Sequence, residues 1–209
     1  TINGKLKIIS PTSGHNLGTV SGSGTLYLES GTFPAGRYTT FLDCANNGTL
    51  EYGGSSDYTL VADLYDEVPN LVFSGTGTRT LPNKDLSVCN QLNINGPILD
   101  NSVYNKKITI KGDMNLISGS FNSGSGADAT ISFAGTSSQT LKGFSGTNAL
   151  NNIEINNNAG LTLTGNVDVK GDLLLTDGVI TTTSANILTI TNTGINCVTP
   201  AGGSSTSYV

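Results

Sequence analysis

The chain has 209 residues, and glycine, threonine, asparagine and serine make up nearly half of them, a composition that favours strands and turns and predicts an all-β fold. Its 15 acidic and 10 basic residues give a formal net charge of -5 and no basic stripe, which argues against nucleic acid as a partner. No apolar run is long enough to cross a bilayer, so we expect no membrane insertion of this segment.

The ends of the chain suggest a piece of a larger protein. The first residue is Thr1, and the last residues, Tyr208 and Val209, lie inside an alternating stretch. No charged start followed by an apolar stretch marks a signal peptide. We therefore expect residues 1–209 to form a single segment of a longer polypeptide.

An alternating apolar pattern recurs along the chain. Its copies begin at Val20, Leu86, Ile108 and Val167, with a weaker copy at Ile187. Residues 167–175 (VDVKGDLLL) align without a gap on residues 108–116 (ITIKGDMNL). The starts differ by near-multiples of about 20 to 22 residues, which indicates one solenoid coil per repeat.

A longer duplication overlies these copies. Residues 48–56 match residues 129–137, and residues 69–73 match residues 151–155. The sequence therefore predicts an internal duplication of about four coils, covering roughly residues 48–101 and 129–182.

Apolar residues at every second position predict strands with one buried face. A unit of about 20 residues cannot bury that face alone, so the copies must stack on one another. The sequence predicts a right-handed parallel β-helix of about nine coils of 20–22 residues, with glycines at the corners. A β-sandwich is the alternative, although it does not predict gapless copies at coil spacing. The predicted inward columns are Val20, Leu86, Ile108, Val167; Leu26, Leu92, Met114, Leu173; Leu28, Ile94, Leu116, Leu175; and Phe33, Leu99, Phe121, Ile180.

One stretch, Thr59 to Asn70, lacks glycine and breaks the pattern. Leu60, Leu64 and Val68 have helical spacing there, which predicts a short helix or a packed loop leaving the coil. Four acidic residues in or beside the stretch are candidate calcium ligands, although the spacing of an EF-hand loop is missing and solvated surface charges are the alternative. The candidates are Asp57, Asp63, Asp66 and Glu67.

Tyrosines are candidates for stacking on sugar rings if this segment binds a polysaccharide. Tyr58 and Tyr65 are the two that lie within or beside the irregular stretch. Apart from the candidate calcium site, we expect no cofactor.

Three cysteines, Cys44, Cys89 and Cys197, form an odd set. The coil count places Cys44 and Cys89 two coils apart, about 9.6 Å, which exceeds the roughly 7 Å that a disulfide tolerates. We therefore predict no internal disulfide. Without a CxxC motif or a neighbouring histidine, the cysteines are interpreted as small packing residues.

Catalytic constellations are weak. His15 lies beside a glycine in a predicted surface turn, and Asp113 and Asp172 occupy equivalent corner positions next to lysines. Neither arrangement supplies the strong base of a polysaccharide lyase or the paired carboxylates of a glycoside hydrolase. Rows of Thr-x-Thr could form an ice-binding face, but they fall at different phases of the coil. We predict a non-enzyme, with a lyase or hydrolase as the third alternative.

Residues 151–182 (NNIEINNNAGLTLTGNVDVKGDLLLTDGVITT) and 192–209 (NTGINCVTPAGGSSTSYV) resemble the repeat of very large secreted surface proteins of Bacteroidota. Those proteins look like adhesins and are typically exported by the type IX system. The resemblance implies an extracellular stalk or display segment on the cell surface, and we expect this segment to be a monomer. Attachment to surface polysaccharide or to a solid surface would go through the full-length protein. A polysaccharide-binding module is the alternative.

Overall fold

The computed structural model describes residues 1–9, 13–61, 66–200 and 204–209. These residues form a β-solenoid of about nine turns, in which parallel strands stack along one axis around an apolar core. The predicted all-β solenoid and its number of coils are confirmed. The alternative β-sandwich is wrong, because the strand pairs are parallel.

The strands follow one another at short intervals along the chain. In chain order they are Lys5–Ile8 (β1), Asn16–Thr19 (β2), Thr25–Leu28 (β3), Ala35–Arg37 (β4), Thr49–Tyr52 (β5), Tyr58–Thr59 (β6), Val68–Ser74 (β7), Thr78–Thr80 (β8), Leu86–Asp100 (β9), Ile108–Ile110 (β10), Asp113–Asn122 (β11), Thr130–Phe133 (β12), Gln139–Lys142 (β13), Asn152–Asn156 (β14), Leu161–Leu163 (β15), Val167–Val169 (β16), Leu173–Thr181 (β17), Leu188–Ile190 (β18), Val198–Thr199 (β19) and Ser207–Tyr208 (β20). Two short 3-10 turns, Cys44–Asn46 (η1) and Gly146–Asn148 (η2), interrupt them.

Apolar side chains at equivalent positions stack into columns that form the core. The first column consists of Leu26, Leu50, Leu71, Leu92, Met114, Leu141 and Leu163. The second consists of Leu86, Ile108, Ile131, Ile153, Leu173 and Val198. Each rung thus places an apolar side chain on that of the next rung, as the alternation predicts.

Burial confirms which side chains point inward. Every residue of the predicted inward columns is buried except Phe33, which is partly buried and packs against the core. Met114 is fully buried and pairs with Leu92, as predicted, and Lys111 is exposed.

The predicted position of Leu173 within these columns is wrong. The sequence alignment places it beside Met114, whereas the structure pairs it with Ile153 in the second column. Leu175 moves with it and pairs with Ile155. The error is one of assignment to a side of the coil, not of inward direction.

Val167 is misplaced for the same reason. The alignment puts it with Ile108, but it pairs with Leu188 in a separate two-stranded ladder. Two different sides of the coil carry the same alternation of apolar and polar residues before a Gly-Asp pair. A gapless alignment therefore matches one side of an early coil with a different side of a later coil. The residues joined by the predicted duplication show the same shift, since Leu50 lies in the first column and Ile131 in the second.

Glycines at the corners allow the rungs to approach closely. Gly178 has φ +97°, and a Cβ there would overlap the carbonyl oxygen of Asn157 on the neighbouring coil. Any L side chain would therefore be strained both by the backbone conformation and by the contact.

Candidate functional site

The irregular stretch predicted from the sequence runs from the end of one strand into the start of the next. Tyr58 and Thr59 form β6, and β7 begins at Val68. The described part of this stretch contains no helix. Residues 62–65 lie outside the described residues, and they include Asp63 and Tyr65, two of the predicted ligand-binding residues. The other candidates, Asp57, Tyr58, Asp66 and Glu67, lie within the described residues.

Tyr58 is half-buried and already has contacts on its ring and its hydroxyl. The guanidinium of Arg79 lies 4.4 Å from the ring centroid, and the hydroxyl donates a hydrogen bond to the Gly53 carbonyl oxygen at 2.9 Å. Burial raises the pKa of Tyr58 to about 12. A sugar that stacked on the Arg79 side of this ring would have to displace the guanidinium.

Arg79 has a structural role that the sequence analysis does not single out. Its side chain is fully buried, and it donates hydrogen bonds to the carbonyl oxygens of Ser56 (2.6 Å), Gly53 (2.9 Å) and Gly54 (2.8 Å). It also donates to Ser74 O at 3.2 Å. One cation therefore binds the carbonyls of a whole corner.

A signal for Arg79 does exist in the sequence. It lies in the alternating stretch Thr78-Arg79-Thr80, and its partner in β9 is Leu99, a residue of a predicted inward column. Extending that column by one coil would have placed Arg79 inside. Charged side chains usually face water, which argues against placing Arg79 in the core from the sequence alone.

The described acidic candidates bind separate partners. Asp57 Oδ1 accepts a hydrogen bond from the Thr78 N–H at 2.6 Å. Asp66 pairs with Lys84 at 2.7 Å, and this hydrogen bond lowers the pKa of Asp66. Glu67 pairs with Lys111. In the described parts of the chain, these three carboxylates do not form a common ligand group.

The predicted absence of a disulfide is wrong. Cys44 and Cys89 form a disulfide, with their Cα atoms 5.8 Å apart. Cys197 remains a free, partly buried thiol. The prediction assumed that both cysteines lie on stacked strands, but Cys44 lies in η1, outside the ladder.

Hydrogen bonds show how η1 reaches across a coil. The carbonyl oxygen of Asn47 accepts a hydrogen bond from the Asn70 side chain at 3.0 Å. The side-chain oxygen of Asn47, Oδ1, accepts a hydrogen bond from the Asn90 side chain, two coils away, at 2.9 Å. The turn after η1 therefore leans over the coil of β7 toward β9, which removes the two-coil separation.

Glu67 lies against the disulfide. Its Oε2 is 3.2 Å from Cys44 Sγ and 3.7 Å from Cys89 Sγ, so the three side chains have the spacing of a metal-ligand group. Thiolate, not disulfide sulfur, is the form of cysteine that binds metals. In the oxidised protein these sulfur atoms serve as a cross-link.

The surface carries two grooves of similar size, and the first of them borders Asp66 and Glu67. One, of about 420 Å³, is lined by Gly36, Arg37, Tyr38, Thr39, Leu42, Asp66 and Glu67. Its aromatic residue, Tyr38, is only 2% exposed, and its hydroxyl donates to Pro34 O at 2.8 Å. Burial raises the pKa of Tyr38 to about 12. This ring is a wall of the groove and offers no face for stacking.

The second groove, of about 410 Å³, is polar. It is lined by Asp85, Lys106, Lys107, Ala127, Asp128, Thr130, Glu154 and Leu174. Burial raises the pKa of Glu154, but hydrogen bonds from Lys107 and Ser132, each at 2.7 Å, outweigh it and lower the pKa below its ordinary value. Charged groups of both signs therefore face this groove, which suits hydrogen bonding to a polar ligand.

No protein-family model, no curated protein and no solved structure matches this chain. Within the described residues, no helix has the length and apolar character needed to cross a membrane.

Proposed function

We propose that this chain is a non-catalytic stalk or display segment of a secreted bacterial cell-surface adhesin. The observation that carries the proposal is the ladder of parallel rungs that runs from β1 through β3, β5, β7 and β9 to β11 and beyond. Each rung is hydrogen-bonded to the next, and one apolar cluster extends along the stack. Such a stack is stiff along its axis, which suits a spacer that holds other domains away from a surface.

The disulfide supports an extracellular location. Disulfides persist in oxidising compartments and are rare where cellular thiols keep cysteines reduced. Cys44 and Cys89 meet in a geometry that the surrounding asparagine hydrogen bonds hold in place. Export through the type IX system and attachment to surface polysaccharide or a solid surface through the full-length protein belong to the same proposal.

Many weak contacts acting together would strengthen attachment. A repetitive surface presents similar weak contacts on successive coils, and many such contacts along one rod add avidity. The partners would then be polymers or extended surfaces, with the segment acting as a monomer.

The alternative is a polysaccharide-binding module, and the polar groove that contains Lys106 and Glu154 favours it. A glycan array and affinity electrophoresis with the purified, oxidised chain separate the two functions. We expect no saturable binding from a stalk. A binding module would bind one polysaccharide class saturably, and the Lys106→Ala variant would bind at least tenfold more weakly.

Lys170→Ala is the matched control, because Lys170 is an exposed lysine that does not line the groove. Saturable binding that survives in Lys170→Ala and is lost in Lys106→Ala would replace the stalk by the module. Release of unsaturated or reducing sugar ends from uronate polymers by the purified chain would overturn the non-catalytic assignment.

A further inference from the structure

The Cys44–Cys89 disulfide skips a coil. Cys44 lies in η1, just before β5, and Cys89 lies within β9. Strand β7 lies between β5 and β9 in the ladder, so the bond passes over the coil that β7 forms. The cross-link closes a loop with a sequence separation of 45 residues.

Non-covalent contacts follow the same crossing. Asn47 binds the side chains of both Asn70 and Asn90, so the turn after η1 is joined to the next two coils. Glu67 extends the connection to the following coil through its ion pair with Lys111, which comes directly after β10. Consecutive coils are thus joined at one corner, with the disulfide at the centre of the contact.

We propose that this disulfide is a mechanical staple that carries tension across the coils between Cys44 and Cys89 and makes them inextensible. The inference rests on the proposed stalk function for its purpose, but not for its geometry. Tension applied to the two ends of the chain reaches Cys44, crosses the sulfur–sulfur bond and continues from Cys89. The residues between them leave the force path.

The staple changes how the solenoid comes apart. Coils of a solenoid contact only their neighbours, so an unstapled stack can peel one rung at a time from either end. With the staple intact, the rungs before Cys44 and after Cys89 can still be pulled away, whereas residues 45–88 stay enclosed in a covalent loop. The protein therefore has two extensible parts separated by a locked one.

A dithiol reverses the lock. Thiolate attack on one sulfur breaks the Cys44–Cys89 bond through a mixed disulfide. The dithiol then forms its own disulfide and gives up two electrons, and two protons complete the thiols of Cys44 and Cys89. The flanking groove that contains Glu67 and the groove of about 430 Å³ that contains Cys89 and Lys111 both open beside the bond, so a small dithiol has access.

Force-clamp spectroscopy on the whole chain, held by a handle at each terminus, tests the staple. After the solenoid unfolds in oxidising buffer, we expect adding dithiothreitol to release one further step of about 150 Å. This length corresponds to a loop of 45 residues at roughly 3.3 to 3.6 Å per residue. The step is measured on the unfolded chain, so it does not depend on the stability of any variant.

Two variants make the result specific. Cys44→Ser should unfold to the full length at once and show no dithiothreitol-dependent step. Cys197→Ser, which removes the free thiol, should keep the step. Full extension of the oxidised wild type without dithiothreitol would overturn the proposal. Failure of the stalk function would instead appear as saturable glycan binding and would leave this step unchanged.

Discussion

The early and late coils of the solenoid close their corners with different chemistry. Around β5 to β9, the corner groups include a disulfide and the buried cation of Arg79, which binds the carbonyl oxygens of Gly53, Gly54, Ser56 and Ser74. Around β12 to β17, neutral amides take that place. The buried amide residues are Gln139, Asn151, Asn152 and Asn157.

The amides of the late coils also bind main-chain and side-chain groups across coils. Asn157 donates hydrogen bonds to Ser137 O and to Gln139 Oε1, both at 2.8 Å. Asn152 donates to Gly126 O at 2.9 Å and accepts from the Asp172 N–H at 2.8 Å. A stack of rungs requires that each buried corner carbonyl and N–H has a partner, and it leaves the identity of that partner free.

The largest effect is expected at Arg79. Arg79→Ala removes a fully buried side chain and leaves carbonyl oxygens of the corner without donors, so the free energy of unfolding should fall by about 4 kcal/mol. Arg79→Met, which retains most of the volume, should recover only part of this loss. Arg37→Ala, at an exposed arginine, should change it by less than about 0.5 kcal/mol in the same urea titration. Equal losses for both alanine variants would show that Arg79 is not the donor of this corner.

A core truncation tests the column register. Met114→Ala should lower the free energy of unfolding by about 3 kcal/mol because it empties a fully buried position, whereas Lys111→Ala should cost less than about 1 kcal/mol, since it breaks only an exposed ion pair. Double-mutant cycles separate the two registers. Met114→Ala should couple to Leu141→Ala by more than about 0.5 kcal/mol and should be additive with Leu173→Ala. The opposite pattern would restore the register of the gapless alignment.

The contrast between Met114 and Leu173 also marks how far the sequence predicts the fold. Period-two alternation determines which side chains point inward, and Met114, Leu173 and Val167 are all buried as predicted. It does not determine which side of the coil they occupy, because the sides share one pattern and the coils differ in length. The column that a residue joins depends on the number of residues in the corners, and the alternating pattern does not encode this number.

Contacts of the candidate residues follow from strand pairing only where those residues lie on or beside the ladder. Asp57 and Tyr58 lie on or beside β6, and pairing with Thr78 and Arg79 accounts for their contacts. Cys44 lies in a turn that leaves the ladder, so coil spacing says nothing about its distance from Cys89. A disulfide between them depends on how that turn packs.

A smaller effect is expected from the neutral corners. Asn157→Ala should lower the free energy of unfolding by about 2 kcal/mol, because it leaves buried acceptors without their donor. Asn158→Ala, at the exposed neighbouring residue, should stay within about 0.5 kcal/mol. Chemical denaturation of the two variants side by side measures the difference. Similar losses in the free energy of unfolding for both variants would mean that the buried amides do not stabilise the late coils.

The smallest effect concerns pH and separates ionic from neutral connections within the late coils. Hydrogen bonds from Lys107 and Ser132 outweigh burial and keep the pKa of Glu154 below its ordinary value of 4.5 in the folded chain. A group whose pKa falls on folding stabilises the protein above the unfolded-state value, and this contribution is lost as the pH drops through the folded-state value.

Glu154→Gln should therefore cost up to about 1 kcal/mol near neutral pH, since the Glu154 carboxylate is partly exposed and screened. This cost should disappear as the pH falls below 4.5, the ordinary pKa of this carboxyl. The Asn157→Ala cost should stay constant over the same range, because an amide does not titrate there. Urea unfolding of both variants at several pH values measures this contrast. A Glu154→Gln cost that grows on acidification would mean that the carboxyl is protonated more easily in the folded protein, and that its contacts with Lys107 and Ser132 do not hold the charge.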